Sequence, residues 1–330
     1  MSGQSVDVIF IIVQVLVTGA NGFIGSWICR VLTKKHQVVA LVRTASDIYR
    51  LRDLKSIKVI RGGESAFHDA VKFYSPQVVV MSDWWGVENQ FRDSEQQFSN
   101  VARLKSRLPV LKEVDKLIGI GSQAELGPKS NWITEEETDA PTTLYGAAKV
   151  DARKILQTNL SSRVQFIWSR IFSTYGPLDA ETWLIPSTIH KILNGERVAL
   201  TRGEQDWSFL HSWDLGCAFE TMVEDNNIDG IVNVGNEETV KIAEVVKFIG
   251  DYMGKSDLLD FGSLPYRPDQ VMRLAPVTRK LSNAGWLPRV GIRDGLENMV
   301  QWMSGNSSSP LKLSNGKALK LNLPSYGLRK

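Results

Sequence analysis

Two residues in the middle of the chain have the types and the spacing of an acid/base pair. Tyr145 and Lys149 lie four residues apart in the segment Pro141-Thr-Thr-Leu-Tyr-Gly-Ala-Ala-Lys149, so on a helix they share one face. A free phenol has a pKa of about 10 and is a poor base at neutral pH, but a neighbouring ammonium favours the phenolate. Tyr145 is therefore predicted to exchange a proton with a substrate oxygen while a hydride moves at the attached carbon.

A glycine-rich turn near the start of the chain predicts what would carry that hydride. The apolar run 13–17 has the pattern of a buried strand, and residues 26–35 have apolar positions at helical spacing. Between them, Gly19 permits a sharp turn, Gly22 lets a pyrophosphate approach the backbone, and Gly25 lets the helix pack close to the strand. Free N–H groups at the start of the helix would face the phosphates. We predict that a dinucleotide cofactor contacts Gly19, Asn21, Gly22, Phe23, Ile24 and Gly25.

Further apolar runs predict the elements that position these groups. The pattern indicates a long helix at 89–108 and buried strands at 37–42, 57–60, 77–81 and 116–120. The last of these strands runs on to Ser122, so a hydroxyl lies at a strand end ahead of Tyr145. The strand at 77–81 is followed by Ser82-Asp83-Trp84-Trp85, and we include Asp83 among the predicted cofactor contacts.

The end of the second predicted strand bears on the choice of cofactor. In a strand–helix–strand unit this end faces the adenosine ribose, and an acidic residue there favours NAD. The chain has Arg43 at this place and no acid before Asp47, and a guanidinium suits a 2′-phosphate. One charge-assisted hydrogen bond contributes about 1.5–3 kcal/mol, which is enough to set a preference. We therefore expect NADP(H), with NAD(H) as the alternative.

Composition and charge argue against several other classes of function. The net charge of +3 in 330 residues is spread along the chain, which disfavours a nucleic-acid partner. The cysteines Cys29 and Cys217 are expected in the core of a protein from a reducing compartment, and the four histidines lack metal-ligand spacing. The apolar segment 6–17 is too short to span a bilayer and lacks a signal-peptide pattern. We therefore expect a cytoplasmic protein with no metal and no membrane partner.

The motifs and their order resemble the extended short-chain dehydrogenase/reductases, in the NAD-dependent epimerase/dehydratase family. The resemblance rests on G-x-x-G-x-x-G at residues 19–25, on Ser122 at a strand end and on the Tyr-x-x-x-Lys pair, and it covers about residues 13–303. It implies an α/β fold, namely a Rossmann-like doubly wound parallel sheet with a smaller C-terminal substrate-binding region. By the same resemblance, Ser122 hydrogen-bonds the substrate oxygen, Tyr145 is the acid/base, and Lys149 tunes it and binds the nicotinamide ribose.

The resemblance also implies how the chain is divided and assembled. We expect an N-terminal extension at 1–12, an NAD(P)-binding domain at 13–178, and a mainly substrate-binding region at 179–303 with return segments near 208–236. The polar segment 304–330 has no clear periodicity and is predicted to be a flexible tail. A homodimer that forms through the Tyr145 helix and its neighbour is expected by family analogy.

Several catalytic residues that other members of the family need are absent from this chain, which limits the reactions that we expect. The 4,6-dehydratases of this family carry an Asp-Glu pair where this chain has Gln123-Ala124. Epimerase-reductases of the GDP-fucose synthase type need a cysteine and a histidine where this chain has Ala124 and Trp183. Carbonyl reduction needs only the Ser-Tyr-Lys set, so we expect a reductase of a nucleoside-diphosphate 4-keto-6-deoxy sugar, of the kind used in O-antigen synthesis. The alternatives are a nucleotide-sugar 4-epimerase that works by transient oxidation, a reductase of small ketones, and an NADP(H)-binding sensor without turnover.

Contacts to the sugar nucleotide follow from the resemblance only in part. Many relatives have an Arg-Asp pair where this chain has Gln205-Asp206, so the arginine that grips the diphosphate is missing. The region of Tyr266-Arg267 and Arg273 matches the place where relatives have a second phosphate-binding arginine. The predicted substrate-binding residues are Gln123, Ser173, Trp207, Arg267 and Arg273.

Overall fold

The computed structural model describes residues 12–267, 270–306 and 308–327. The predicted N-terminal extension lies outside the described residues except for Ile12. The strands in chain order are β1 (Gln14–Thr18), β2 (Gln37–Val42), β3 (Lys58–Arg61), β4 (Val78–Met81), β5 (Lys116–Ser122), β6 (Gln165–Ile171), β7 (Thr174–Tyr175), β8 (Val198–Leu200), β9 (Asp206–Ser208), β10 (Leu210–His211), β11 (Gly230–Val234), β12 (Thr239–Lys241), β13 (Leu259–Phe261), β14 (Arg273–Leu274), β15 (Leu311–Lys312) and β16 (Ala318–Leu319).

The helices alternate with the strands through most of the chain, as expected for a doubly wound fold. In chain order they are α1 (Phe23–Leu32), α2 (Glu64–Tyr74), α3 (Gln97–Leu111), α4 (Leu144–Asn159), α5 (Leu184–Leu193), α6 (Ser212–Glu224), α7 (Ile242–Tyr252), α8 (Arg279–Asn283) and α9 (Ile292–Met303).

The centre of the molecule is a seven-stranded parallel sheet in the order β11-β6-β5-β4-β1-β2-β3. The order reverses between β1 and β4, where Val15 pairs with Val38 of β2 on one side and with Val78 of β4 on the other. Such a reversal opens a crevice at the carboxyl ends of the strands, which is where ligands bind in open α/β sheets. The predicted Rossmann-like doubly wound sheet is confirmed.

Both faces of this sheet are covered by helices because the strands are apolar on both sides. Along β1, Val15 and Val17 face a core cluster that includes buried residues of α1 and α6, whereas Leu16 faces a second cluster formed with α2, α3 and α4. All three side chains are fully buried. Of the later segments, β11 joins the central sheet and α6 packs against α1.

The smaller part of the protein is built mainly from residues between β6 and the C-terminus. Short sheets of order β12-β9-β14 and β13-β8 form its frame, and α5, α7 and α9 pack against one another beside them. It stands over the same edge of the central sheet as the crevice, because β7 and the segments after it leave from the carboxyl end of β6.

The predicted helix at 89–108 is shorter and begins later than expected. A 3₁₀ turn covers Asn89–Phe91, and α3 begins only at Gln97. Between them the chain turns towards the start of α4: the carbonyl of Arg92 accepts from the N–H of Tyr145 at 2.7 Å, and the carboxylate of Asp93 accepts from Leu144 N–H at 3.2 Å. These long-range bonds override the helical periodicity of the segment.

The described part of the C-terminal segment is packed, which differs from the flexible tail that its composition predicts. Residues 308–327 contribute four buried leucines to the main core: Leu311, Leu313, Leu321 and Leu323. The indole N–H of Trp302 donates to the carbonyl of Pro324 at 2.8 Å. These leucines fall in pairs spaced by two residues, as in an extended chain with one buried face. That alternation indicated a packed segment, but the polar composition obscured it.

Candidate active site

The glycine turn lies against the end of β4 so closely that only glycine fits. Gly19 has φ +59°, and a Cβ on it would lie 2.7 Å from the carbonyl oxygen of Ser82 and 2.8 Å from Cα of Asp83. A Cβ on Gly25 would come within 2.7 Å of Ser82 Oγ. The backbone of β1, the turn and β4 therefore form one continuous floor for the crevice.

The start of α1 fits the pyrophosphate of a dinucleotide. Gly22 is the N-cap residue and has no side chain that could cap the helix. The N–H groups of Phe23, Ile24 and Gly25 in the first turn therefore lack intrahelical acceptors, and they carry the positive end of the helix dipole. The side-chain amide of Asn21 donates to the carbonyl of Asp47 and ties the turn to the loop after β2.

The predicted catalytic residues Ser122, Tyr145 and Lys149 lie together at the carboxyl end of β5. Ser122 is the last residue of that strand, and α4 begins one residue before Tyr145, with Thr143 as its N-cap through a 3.1 Å bond from Gly146 N–H. The Nζ atom of Lys149 lies 5.7 Å from the centre of the Tyr145 ring and donates to the carbonyl of Ile120 at 2.6 Å. Tyr145 is 7% and Lys149 2% exposed, so both are largely shielded from water.

The electrostatics of this set differ in one respect from the expectation. Burial raises the pKa of the Tyr145 phenol above its usual value, while a hydrogen bond with Ser122 and the positive charge of Arg92 act in the opposite direction. Burial also lowers the pKa of the Lys149 ammonium to about 7. Arg92, whose guanidinium lies 5.6 Å from the ring centre, therefore joins Lys149 as a nearby cation that favours the Tyr145 phenolate.

Trp84 covers Lys149. Its ring centre lies 3.8 Å from the Lys149 Nζ, and the ring meets that of Tyr145 edge-on at 6.4 Å. The indole N–H donates to the side-chain oxygen of the fully buried Gln97 at 2.8 Å, which holds the ring in place. Sequence reasoning did not single out this tryptophan, although its position shortly after β4, next to Asp83, was a signal that it borders the groove.

The side chain of Asp83 is engaged by an arginine. Its two carboxylate oxygens accept from Arg107 at 2.9 and 2.7 Å, and one also accepts from the hydroxyl of Thr18. The guanidinium of Arg107 is 3% exposed and also binds the carboxylate of Glu64 at 2.8 and 2.7 Å. Burial acts to raise the pKa of the Asp83 carboxyl, but the positive charges of Arg107 and Arg103 outweigh it and hold that pKa below its usual value. The backbone of Asp83, rather than its charge, is thus what faces the glycine turn.

The adenosine edge of the groove is exposed. Arg43, directly after β2, lies in solvent. The loop that carries it is held by Arg61, whose guanidinium donates to the carbonyl of Thr44 at 3.2 Å and to that of Ser46 at 2.7 Å. Sequence reasoning did not single out Arg61, although its place at the end of β3 corresponds to that of Arg43 at the end of β2.

The structure brings together some of the predicted substrate-binding residues. The indole N–H of Trp207 donates to Ser173 Oγ at 2.6 Å. Arg273 lies on β14 beside β9, 3.7 Å from the carboxylate of Asp206, and over the half-exposed ring of Trp132 at 5.2 Å. Of the remaining two, Gln123 follows Ser122 in a 3₁₀ turn, and Arg267 is exposed between β13 and β14. The roles of all five stay predictions.

One buried acid beside the site was missed. Glu125 is fully buried, and its carboxylate accepts from Ser122 N–H at 2.7 Å, while Ser122 Oγ accepts from Ala124 N–H at 3.2 Å. Together these bonds form a capping box. The sequence spacing Ser-x-x-Glu is the signature of that motif and could have identified it.

Two kinds of feature are absent from the described residues 12–267, 270–306 and 308–327. Within them, no helix is both long enough and apolar enough to cross a membrane. The same residues hold no group of three or more His, Cys, Asp or Glu side chains that could bind a metal ion.

The fold and the site define an enzyme of the extended short-chain dehydrogenase/reductase type. The sequence profile described as "NAD dependent epimerase/dehydratase family" matches residues 15–235, which is more than half of the chain. The protein belongs to this family, as the motifs indicated.

Named relatives and solved structures agree with that assignment. The uncharacterized UDP-glucose epimerase YtcB of Bacillus subtilis (strain 168) is 22% identical over 321 residues, which cover 88% of this chain and 98% of that protein. Among solved structures, a UDP-N-acetylglucosamine 4-epimerase from Methanobrevibacter ruminantium M1 superposes with a TM-score of 0.80 at 22% identity, over 88% of this chain and 98% of its own. A UDP-glucuronic acid 4-epimerase from Bacillus cereus, in complex with UDP-glucuronic acid and NAD, gives 0.76 at 22% identity, over 87% and 98%. At these identities the structures establish the shared fold.

Proposed function

We propose that the protein is a nucleotide-sugar 4-epimerase that acts on a UDP-sugar by transient oxidation at C4. The observation that carries the proposal is the meeting of Ser122, Tyr145 and Lys149 in a shielded site beside the glycine turn. The names of the relatives favour this reaction over the 4-keto-6-deoxy-sugar reductase that the sequence alone led us to expect. The same three residues serve both reactions.

A nicotinamide dinucleotide fits the groove that runs past this set. The uncapped first turn of α1 would bind its pyrophosphate, and Lys149 would bind its nicotinamide ribose. When bound, this group accepts a hydride from the sugar carbon and returns it. NAD is the cofactor present in the Bacillus cereus epimerase structure, whereas the exposed Arg43 favours NADP, so we propose an NAD(P)-dependent enzyme and test the preference below.

The protein's own residues would move and hold the proton. Tyr145 would remove the proton of the C4 hydroxyl as the hydride leaves C4, and it would return a proton to the same oxygen when the carbonyl is reduced on its other face. Ser122 accepts a hydrogen bond from Ala124 N–H, and its own hydroxyl, which hydrogen-bonds Tyr145, would donate its proton to the sugar oxygen when the substrate binds. Burial of the set excludes water, which strengthens each of these interactions.

Dehydration is disfavoured by the arrangement around Gln123 and Ala124. Elimination of water from the sugar needs an acid that reaches the ring beyond the strand-end hydroxyl. The next acid along the chain, Glu125, is fully buried and bound to Ser122 N–H and to the indole N–H of Trp168. It therefore points away from the crevice and cannot serve.

The test is incubation of the purified protein with NAD⁺ and a panel of UDP-sugars, with separation of the C4 epimers by chromatography. We expect conversion of one UDP-sugar into its C4 epimer with no net change in cofactor absorbance. The 4-keto reductase, which Arg43 favours because reductases draw on NADPH, is the second candidate. Consumption of NADPH with a 4-keto-6-deoxy sugar, without epimerisation of any panel member, would establish the reductase instead. Dimerisation through α4 stays a prediction.

A further inference from the structure

A buried carboxylate lies beneath the catalytic serine. One oxygen of Glu125 accepts from the backbone N–H of Ser122 at 2.7 Å and from the indole N–H of Trp168 at 3.0 Å. The strand end is shaped around this group: a Cβ on Gly121 would come within 2.5 Å of the same Glu125 oxygen and would collide with the Trp168 indole. The carboxylate of Glu125 thus packs and hydrogen-bonds directly against the last two residues of β5.

Two arginines on neighbouring elements neutralise this carboxylate. The second oxygen of Glu125 lies 3.6 Å from Nε of Arg170, on β6, and 3.9 Å from Nε of Arg153, on α4. Asp139, in the loop that leads to α4, pairs with Arg153 and lies 3.7 Å from Arg170. Two positive and two negative groups thus balance, which is what a buried charge cluster requires.

This cluster, Glu125 with Arg153, Arg170 and Asp139, joins the elements that carry the reaction. Glu125 follows the end of β5, which carries Ser122, and Arg153 is on α4, the helix of Tyr145 and Lys149. The backbone reinforces the link, because the carbonyl of Glu125 accepts from the N–H of Ala140 at 2.9 Å. Within the cluster, Glu125 is the member that hydrogen-bonds the backbone of a predicted catalytic residue, Ser122.

We propose that Glu125 is a positioning residue for Ser122: its carboxylate fixes the Ser122 backbone and so directs the serine hydroxyl at the sugar oxygen. This inference rests on the proposed function for its effect on turnover. It differs from a purely structural role because it acts through one hydroxyl. Loss of Glu125 should matter only when that hydroxyl is present.

A double-mutant cycle on turnover tests the role. We expect Glu125→Gln, which keeps the shape and removes the charge, to lower kcat about 10–100-fold while KM for the UDP-sugar and the cofactor affinity change less than about twofold. In a Ser122→Ala background the same substitution should change kcat less than about twofold. An unchanged kcat in Glu125→Gln, or equal losses in both backgrounds, would overturn the proposal.

Glu135 provides a matched control. It is another buried glutamate, it accepts from the N–H of Lys280 at 3.3 Å, and it lies on the loop outside the cluster. Glu135→Gln makes the same chemical change and should leave kcat within about twofold of the wild type. Melting curves of both variants show whether each remains folded under the assay conditions.

A second measurement does not depend on turnover. A neutral amide accepts a hydrogen bond more weakly than a carboxylate, so hydrogen exchange at the Ser122 amide should be at least about fivefold faster in Glu125→Gln and unchanged in Glu135→Gln. Equal exchange in wild type and Glu125→Gln would overturn the positioning of Ser122. If the wild type proves inactive on every sugar nucleotide, the proposed function fails, and this exchange measurement alone decides the inference. If the enzyme is active but Glu125→Gln lowers kcat equally with and without the Ser122 hydroxyl, only the role of Glu125 is contradicted.

Discussion

The two ends of the cofactor groove are built in opposite ways. At the end near β5, Tyr145 and Lys149 are shielded from solvent, and the bonds that hold them come from the chain itself. At the adenosine edge, Arg43 projects into solvent from a loop that Arg61 secures. The groups that we propose for the reaction are therefore fixed by packing, whereas the group that we propose for cofactor selection is an exposed charge. Substitutions at the first end should have large effects, and those at the second small ones.

The largest effect is expected at Tyr145. The variant Tyr145→Phe removes the proton donor and acceptor and keeps the ring that packs against Trp84, so turnover should fall about 10²–10⁴-fold. Cofactor affinity, measured by fluorescence titration, should stay within about threefold of the wild type. Turnover at the wild-type rate would contradict the assigned acid/base.

The glycine turn lies between the two ends of the groove. A substitution there should lower both the stability of the fold and the affinity for the cofactor. Gly19→Ala places a methyl group against the backbone of Ser82 and Asp83 at a positive φ, which we expect to destabilise the protein by about 2–4 kcal/mol and to weaken cofactor binding at least about tenfold. The matched control is Gly63→Ala, where φ is −103° and an added Cβ would have no atom of the described residues within 4 Å, its chain neighbours apart. Urea denaturation that shows equal stability for the two variants would contradict the tight packing at Gly19.

The burial of Lys149 predicts an unusual pH dependence of stability. Its folded pKa, about 7, lies below the unfolded value of 10.5, so below pH 7 both states hold the proton and the native state bears the full penalty of a buried charge. Between these values the unfolded state binds more protons, so this group adds stability as pH rises. Lys149→Met should therefore gain stability relative to wild type at about pH 6, by about 1–4 kcal/mol, and lose that advantage towards about pH 9.

Melting curves at both pH values measure this difference directly. The exposed Lys55, changed to methionine, serves as the control and should shift both melts equally. A Lys149→Met variant whose relative stability is the same at both pH values would show that the ammonium is not held out of water as the structure has it.

The smallest effect is expected at the adenosine edge. Arg43→Asp exchanges a group suited to a 2′-phosphate for one suited to a 2′-hydroxyl. The ratio of NADPH to NADH affinity should fall about tenfold or more, a change of about 1.4 kcal/mol. The control is Arg197→Asp, which alters an arginine that is 70% exposed and lies between α5 and β8. This variant should leave the ratio of NADPH to NADH affinity unchanged. Equal loss of both cofactors in Arg43→Asp would refute the selective role of Arg43.

The sequence predicted the features that are local along the chain and missed those that depend on long-range contacts. The buried strands, the glycine turn and the Tyr-x-x-x-Lys pair are local patterns, and each was placed within a few residues. The groups that hold the site were not predicted, because Glu125 meets Arg170 across 45 residues and Asp83 meets Arg107 across 24. Long-range pairing of charges leaves no periodic signal in one sequence. The described tail was misjudged for a related reason, since its leucines are buried in the main core, where β15 contacts α9, and that long-range packing is not visible in the segment alone.

The central claim is that one sugar carbon is oxidised and reduced again at the Ser122–Tyr145–Lys149 site. The most direct measurement is incubation of the wild-type protein and NAD(P)⁺ with the accepted UDP-sugar carrying deuterium at C4. We expect the C4 epimer to form with its deuterium retained on C4 and with no net consumption of cofactor. Loss of the deuterium to solvent, or product that forms only with stoichiometric oxidation of NADPH, would contradict the account.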